Sequence, residues 1–126
     1  MPLTTAPIPI AVRNLDRGQT LGEQIRVADR WWSRARGLMG STLREGEGLL
    51  IRPCRAVHMF GMGYPIDVAF LDAGSRVVAT YAELRPGRMT RFHRSAAALE
   101  LPAGQLARTG TRVGDRLTIT STLTEA

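Results

Sequence analysis

The sequence has no lysine, one cysteine, two histidines and no apolar run longer than a few residues. A bilayer span needs about 20 consecutive apolar residues, so no transmembrane segment is encoded. The lone Cys54 cannot form an internal disulfide, which rules out a disulfide scaffold and fits a reducing compartment. Residues 1–10 lack a basic leader, and Pro2, Pro7 and Pro9 interrupt their apolar positions. No signal peptide is read, and the expected compartment is the cytoplasm. Two histidines with no Cys-x-x-Cys or His-x-x-x-His spacing give no basis for a metal site, and no cofactor motif occurs. Acidic residues are absent from the ten residues that hold Arg85, Arg88, Arg91 and Arg94, so this stretch carries four of the six net positive charges.

What is present belongs to an ordinary globular chain of 126 residues, with 44% hydrophobic and 22% charged residues. Residues 1–9 read as an extended arm, 10–120 as one domain and 121–126 as a tail. Period-2 alternation predicts strands at Ile10–Leu15, Gln24–Val27, Leu49–Arg52, Ala56–Phe60, Ile66–Leu71, Val77–Tyr81, Ala96–Leu101 and Arg116–Thr120. Turn residues Asp16-Arg17-Gly18 and Asp72-Ala73-Gly74-Ser75 close the two clearest hairpins. One amphipathic helix is predicted between an Asp29 N-cap and Gly40, with Trp31, Trp32, Ala35, Leu38 and Met39 on its stripe. A second helical turn is expected at Gln105–Arg108. The fold class is therefore mainly β, a small antiparallel sandwich or barrel with one or two short helices.

The run Arg36-Gly37-Leu38-Met39-Gly40, then Gly48-Leu49-Leu50, then His58-Met59-Phe60-Gly61-Met62 leading into Pro65-Ile66-Asp67-Val68-Ala69-Phe70-Leu71-Asp72, resembles domain-of-unknown-function family 192. The similarity continues through Leu84-Arg85-Pro86-Gly87-Arg88, Leu99-Glu100-Leu101-Pro102-Ala103-Gly104 and Gly114-Asp115-Arg116-Leu117. It implies a jelly-roll-like β-sandwich found in bacteria and archaea, sometimes exported. It implies no reaction, cofactor or catalytic residue. Relatives often carry a cation or a Lys-Asn pair after the position of Met62; here Gly63 and Tyr64 stand there.

Three groups of residues could carry chemistry. Cys54 and His58 lie four apart, about 13 Å along a strand at roughly 3.3 Å per residue, too far for a nucleophile and its base. Asp67 and Glu100 each alternate with apolar neighbours. They are the candidate carboxylates for an acid–base pair with His58, the basis of a hydrolase or lyase alternative. The segment 84–94 contains Pro86 and Gly87 and no period, so it reads as a loop, and guanidinium groups bind carboxylate or phosphate through paired donors. The leading expectation is a non-catalytic domain that binds a small anionic ligand through His58, Arg85, Arg88, Arg91 and Arg94. Nucleic acid is the weaker expectation, because single-strand binders display stacked aromatics and the segment offers only Phe92.

Overall fold

The structure, a computed structural model, describes residues 9–28 and 43–121. The helix expected between Asp29 and Gly40 lies outside the described residues, as do most of the arm and the tail. β1 (Ile10–Asn14) and β2 (Gln19–Ala28) form the opening hairpin. Its turn is organised by Asn14, whose Oδ1 accepts the N–H groups of Asp16 and Arg17 at 3.0 and 3.1 Å. There follow β3 (Glu47–Ile51), β4 (Ile66–Leu71), β5 (Val77–Leu84), β6 (Ala97–Pro102), the short helix α1 (Gln105–Thr109) and β7 (Leu117–Ser121). In the β4–β5 turn, Asp72 Oδ1 accepts the N–H of Gly74 and of Arg76, and the left-handed position falls on Ser75 (φ 64°) rather than on the glycine.

The described strands make one seven-stranded sheet in the order β5-β4-β6-β3-β2-β1-β7. The sheet curls into a half-barrel. Its two edge strands meet at a single bridge, Arg76 with Arg116, beside which Val77 N–H reaches Asp115 O and Leu117 N–H reaches Ser75 O. The mainly β expectation holds, with one departure from all-antiparallel pairing: β2 and β3 run parallel. Residues 29–46 separate them, and a connection of that length is what a parallel pair requires.

Both faces of the sheet are buried. Val12, Leu21, Ile25, Leu50, Ala69, Leu71, Leu99, Leu101 and Leu117 fill the concave side. Leu49, Ile51, Ile66, Val68, Phe70 and Ala98 face the other way and pack against Val57, Met59 and Met62 of the segment after β3. That segment is not the strand expected at Ala56–Phe60. Apart from one bridge between His58 and Met89, it lies over the sheet and pairs with the loop after β5. Alternation within their strands points Val68, Phe70, Leu99, Leu101, Leu117 and Ile119 inward; the first five are buried, and Ile119 packs against the concave cluster half-buried.

A buried polar network holds the strand ends where β1 and β7 meet. Asn14 Nδ2 donates to Asp115 Oδ2 (2.9 Å) and Thr111 Oγ1 (3.0 Å), while Arg17 grips both Asp115 oxygens at 3.0 Å. The Arg17 hydrogen bonds, helped by Asn14 and the Arg112 N–H against the cost of burial, hold the Asp115 carboxyl down from the ordinary 3.8 to about 2. A carboxyl whose folded value is depressed contributes stability that is complete above its unfolded value and lost as pH falls through the folded one. The expected result is a stability gap between wild type and Asp115→Asn that is full above about pH 4 and narrows towards about pH 2. Urea titrations across that window would reveal it; a gap independent of pH would mean that Asp115 acts only through its shape.

Candidate functional site

The sheet register separates the candidate carboxylates. Asp67 pairs with Leu101, and Val68 with Glu100, so the two acids lie on opposite faces of adjacent strands. Both are fully buried. Neither stands on the wet face that alternation suggested, because the concave side is core and the convex side is covered by loops. Asp67 Oδ1 accepts Glu83 N–H at 2.8 Å; Oδ2 accepts Gly104 N–H at 3.1 Å and Leu106 N–H at 2.8 Å. This carboxylate ties a bulge in β5, where Glu83 has φ 52°, to the first turn of α1. Its chemistry is that of a backbone clamp. Glu100 sits on the convex face in register with Leu49 and Val68, on the side that carries His58.

His58 is half-buried, and its ring stacks on Phe60 at 5.2 Å between centroids. The Cys54 thiol donates to Ala56 O at 3.2 Å. Among the described residues, no three His, Cys, Asp or Glu side chains come together as metal ligands would.

The strongest concentration of chemistry is made by two loops, 52–65 and 85–96, which pair with each other over the convex face. His93 N–H donates to Arg55 O (2.9 Å), Thr90 N–H to Val57 O (2.8 Å), Met59 N–H to Arg88 O (2.7 Å) and Gly87 N–H to Met59 O (3.0 Å). Thr90 Oγ1 accepts Val57 N–H, and Ser95 Oγ donates to Cys54 O at 2.7 Å. From below, Tyr81 of β5 contacts His93 Nε2 through its hydroxyl at 2.7 Å, and the His93 ring lies 4.7 Å from that of Phe70. A loop that sequence reading takes as free is thus tied along its length and propped by two aromatic rings.

On this double loop stand Arg52, Arg55, Arg85, Arg88, Arg91 and Arg94, all exposed, together with both histidines and no acid. Their six charges equal the net charge of the whole chain, +6; the other residues balance at eleven arginines to eleven acids. Among the described residues none of the six makes an ion pair. Arg55 and Arg94, one from each loop, line an open groove of about 760 Å³ with Phe92, His93 and Ser95; Asp72 and Ala73 form its far wall. One Asp72 oxygen is already engaged by the turn amides. Of the arginines expected to gather, Arg94 reaches this groove, Arg85 lines a separate hollow beside Pro65, Ala82 and Glu83, and Arg88 and Arg91 belong to neither. His58 is not among the groove residues, and His93 is. Sequence reading missed Arg52 and Arg55, although the run 52–65, like 85–96, is free of acid.

A curled half-barrel that carries an arginine-bearing double loop on its convex face defines a class of small β domain. The chain belongs to the DUF192 family, whose model, described as Uncharacterized ACR, matches residues 12–119. It is 28% identical over 113 residues to a UPF0127 protein of Thermococcus sibiricus, a match that covers 82% of this chain and 71% of that one. A crystal structure of a protein of unknown function from Novosphingobium aromaticivorans superposes with a TM-score of 0.74 at 23% identity, covering 94% of this chain and 89% of the other. A putative transcription regulator from Sinorhizobium meliloti gives 0.73 at 23% identity, covering 91% and 97%. At that identity the likeness shows the fold alone. No described helix is long and apolar enough to cross a membrane.

Proposed function

We propose that the domain is a non-catalytic binding module whose partner is anionic and is held on the double loop around Arg55, His93 and Arg94, with His58 and the remaining arginines flanking. The observation that carries this reading is the concentration of the entire net charge, as exposed arginines without acidic partners, on two loops fixed by their own backbone hydrogen bonds. A loop backbone that need not be ordered on binding loses less entropy when its guanidinium groups grip a carboxylate or phosphate. In the acid–base alternative Asp67 has both oxygens taken by backbone N–H groups on the face away from His58, which leaves Glu100, buried on the His58 side, as the carboxylate that reading would use.

Thermal unfolding with inorganic phosphate, citrate and chloride at matched ionic strength tests the reading. A specific anion at 100 times its Kd adds about 2.7 kcal/mol of stability. The expected outcome is a rise in Tm with phosphate or citrate that the Arg55→Ala, Arg94→Ala double variant lacks. Equal shifts in both proteins would overturn it.

A further inference from the structure

We infer that the partner of the double loop is a single-stranded nucleic acid, laid across the groove with phosphates on the arginines and bases on exposed aromatic rings. The inference rests on the anion-binding reading above and adds to it the identity of the anion. A compact anion reaches only the guanidinium groups around one point, whereas six spread over two loops match a chain of phosphates. The groove is open rather than enclosed, which suits a polymer that passes through better than a metabolite that must be surrounded.

The aromatic rings supply the second, independent observation. Phe92, at the groove, is 80% exposed, and Phe60, on the other loop, is 58% exposed. Solvent exposure of such rings goes against the hydrophobic effect, and a flat ring among arginines is what a splayed base stacks on. The arginine segment itself offers one aromatic ring, Phe92; the second, Phe60, is exposed on the loop that pairs with it, nearer its Gly87–Arg88 end. A membrane surface also attracts exposed Phe and Arg. The geometry favours the strand over the bilayer: Arg55 and Arg94 line a concavity, which a strand can enter and a flat bilayer surface cannot.

Fluorescence anisotropy with labelled oligothymidylates of about 6 and about 18 nucleotides, and with a duplex of the longer sequence, tests this at two salt concentrations. The expected result is tighter binding of the longer single strand than of the duplex, with a slope of log affinity against log salt between about −2 and −4. Phe92→Ala should weaken single-strand binding at least about fivefold at unchanged Tm, an effect a diffuse positive field would not show. Arg55→Ala, Arg94→Ala should lower both the affinity and the salt slope. Duplex bound as tightly as single strand, or Phe92→Ala without effect, overturns the inference. A phosphate-dependent Tm rise without oligonucleotide binding overturns it and leaves the anion-binding reading standing. Sedimentation with phosphatidylserine vesicles but no oligonucleotide binding assigns the surface to lipid instead. Absence of all three removes both readings.

Discussion

Replacing Asp67 by alanine is expected to cost about 3 to 5 kcal/mol, a large share of the roughly 5 to 15 kcal/mol that holds a domain together. The fully buried side chain accepts three backbone N–H groups, from buried Leu106, half-buried Gly104 and Glu83 nearer the surface. A buried donor left without an acceptor costs about 1 to 3 kcal/mol, the full cost falling on Leu106 and a smaller one on the other two, which lose their acceptor at the same time. Asp67→Asn should lose less, because its one oxygen still serves either Glu83 or the two α1 donors while its amide group faces the others. Urea denaturation of both variants measures the difference, and amide exchange should rise first at Glu83, Gly104 and Leu106. A loss below about 1 kcal/mol in Asp67→Ala would mean that water or a local shift replaces the carboxylate.

Phe70→Ala should be comparably damaging, at about 3 to 5 kcal/mol, because Phe70 is the largest fully buried side chain of the convex core. Its ring contacts Tyr81 at 6.0 Å and His93 at 4.7 Å, so the void would open beneath the double loop itself. Two readings should therefore fall together: the urea midpoint, and the anion-dependent rise in Tm. Phe70→Leu, which keeps most of the volume, should retain more of both. If Phe70→Ala loses stability but keeps the full anion response, the loops hold their geometry without support from the sheet.

Local signals were legible in the sequence wherever they decided the structure. The Asp72–Ser75 turn, the alternation through Ile66–Leu71 and the helical turn at Gln105 all identify elements that form. Alternation with Ile66 and Val68 does set Asp67 on the opposite face, yet it does not reveal that this face is buried. Alternation says which residues share a face; it does not say that a second layer will cover the other one. That layer comes from residues 52–65, whose apolar positions Val57, Met59 and Met62 look like a strand and behave as a lid. Long-range pairing of this lid with residues 85–96 also explains why half of the candidate site was missed. Arg94 stood out through its neighbours in sequence, whereas Arg55 joins it only through hydrogen bonds between loops more than thirty residues apart. The parallel β2–β3 pair was hidden for the same reason, since nothing local distinguishes a parallel from an antiparallel partner.

The strand order also sets a folding problem. β4 and β5 form a local hairpin, but β6 must enter between β4 and β3, and β7 must reach back to β1, where Ile10 meets Ser121. Pairings this distant in sequence close slowly, in the range of milliseconds to seconds for β-rich domains. During synthesis the Ile66–Leu71 strand therefore emerges with its β6 edge open, although every one of its six residues is buried in the finished sheet. Until residues 97–102 leave the ribosome, that open edge is a ready partner for the same strand of another nascent chain.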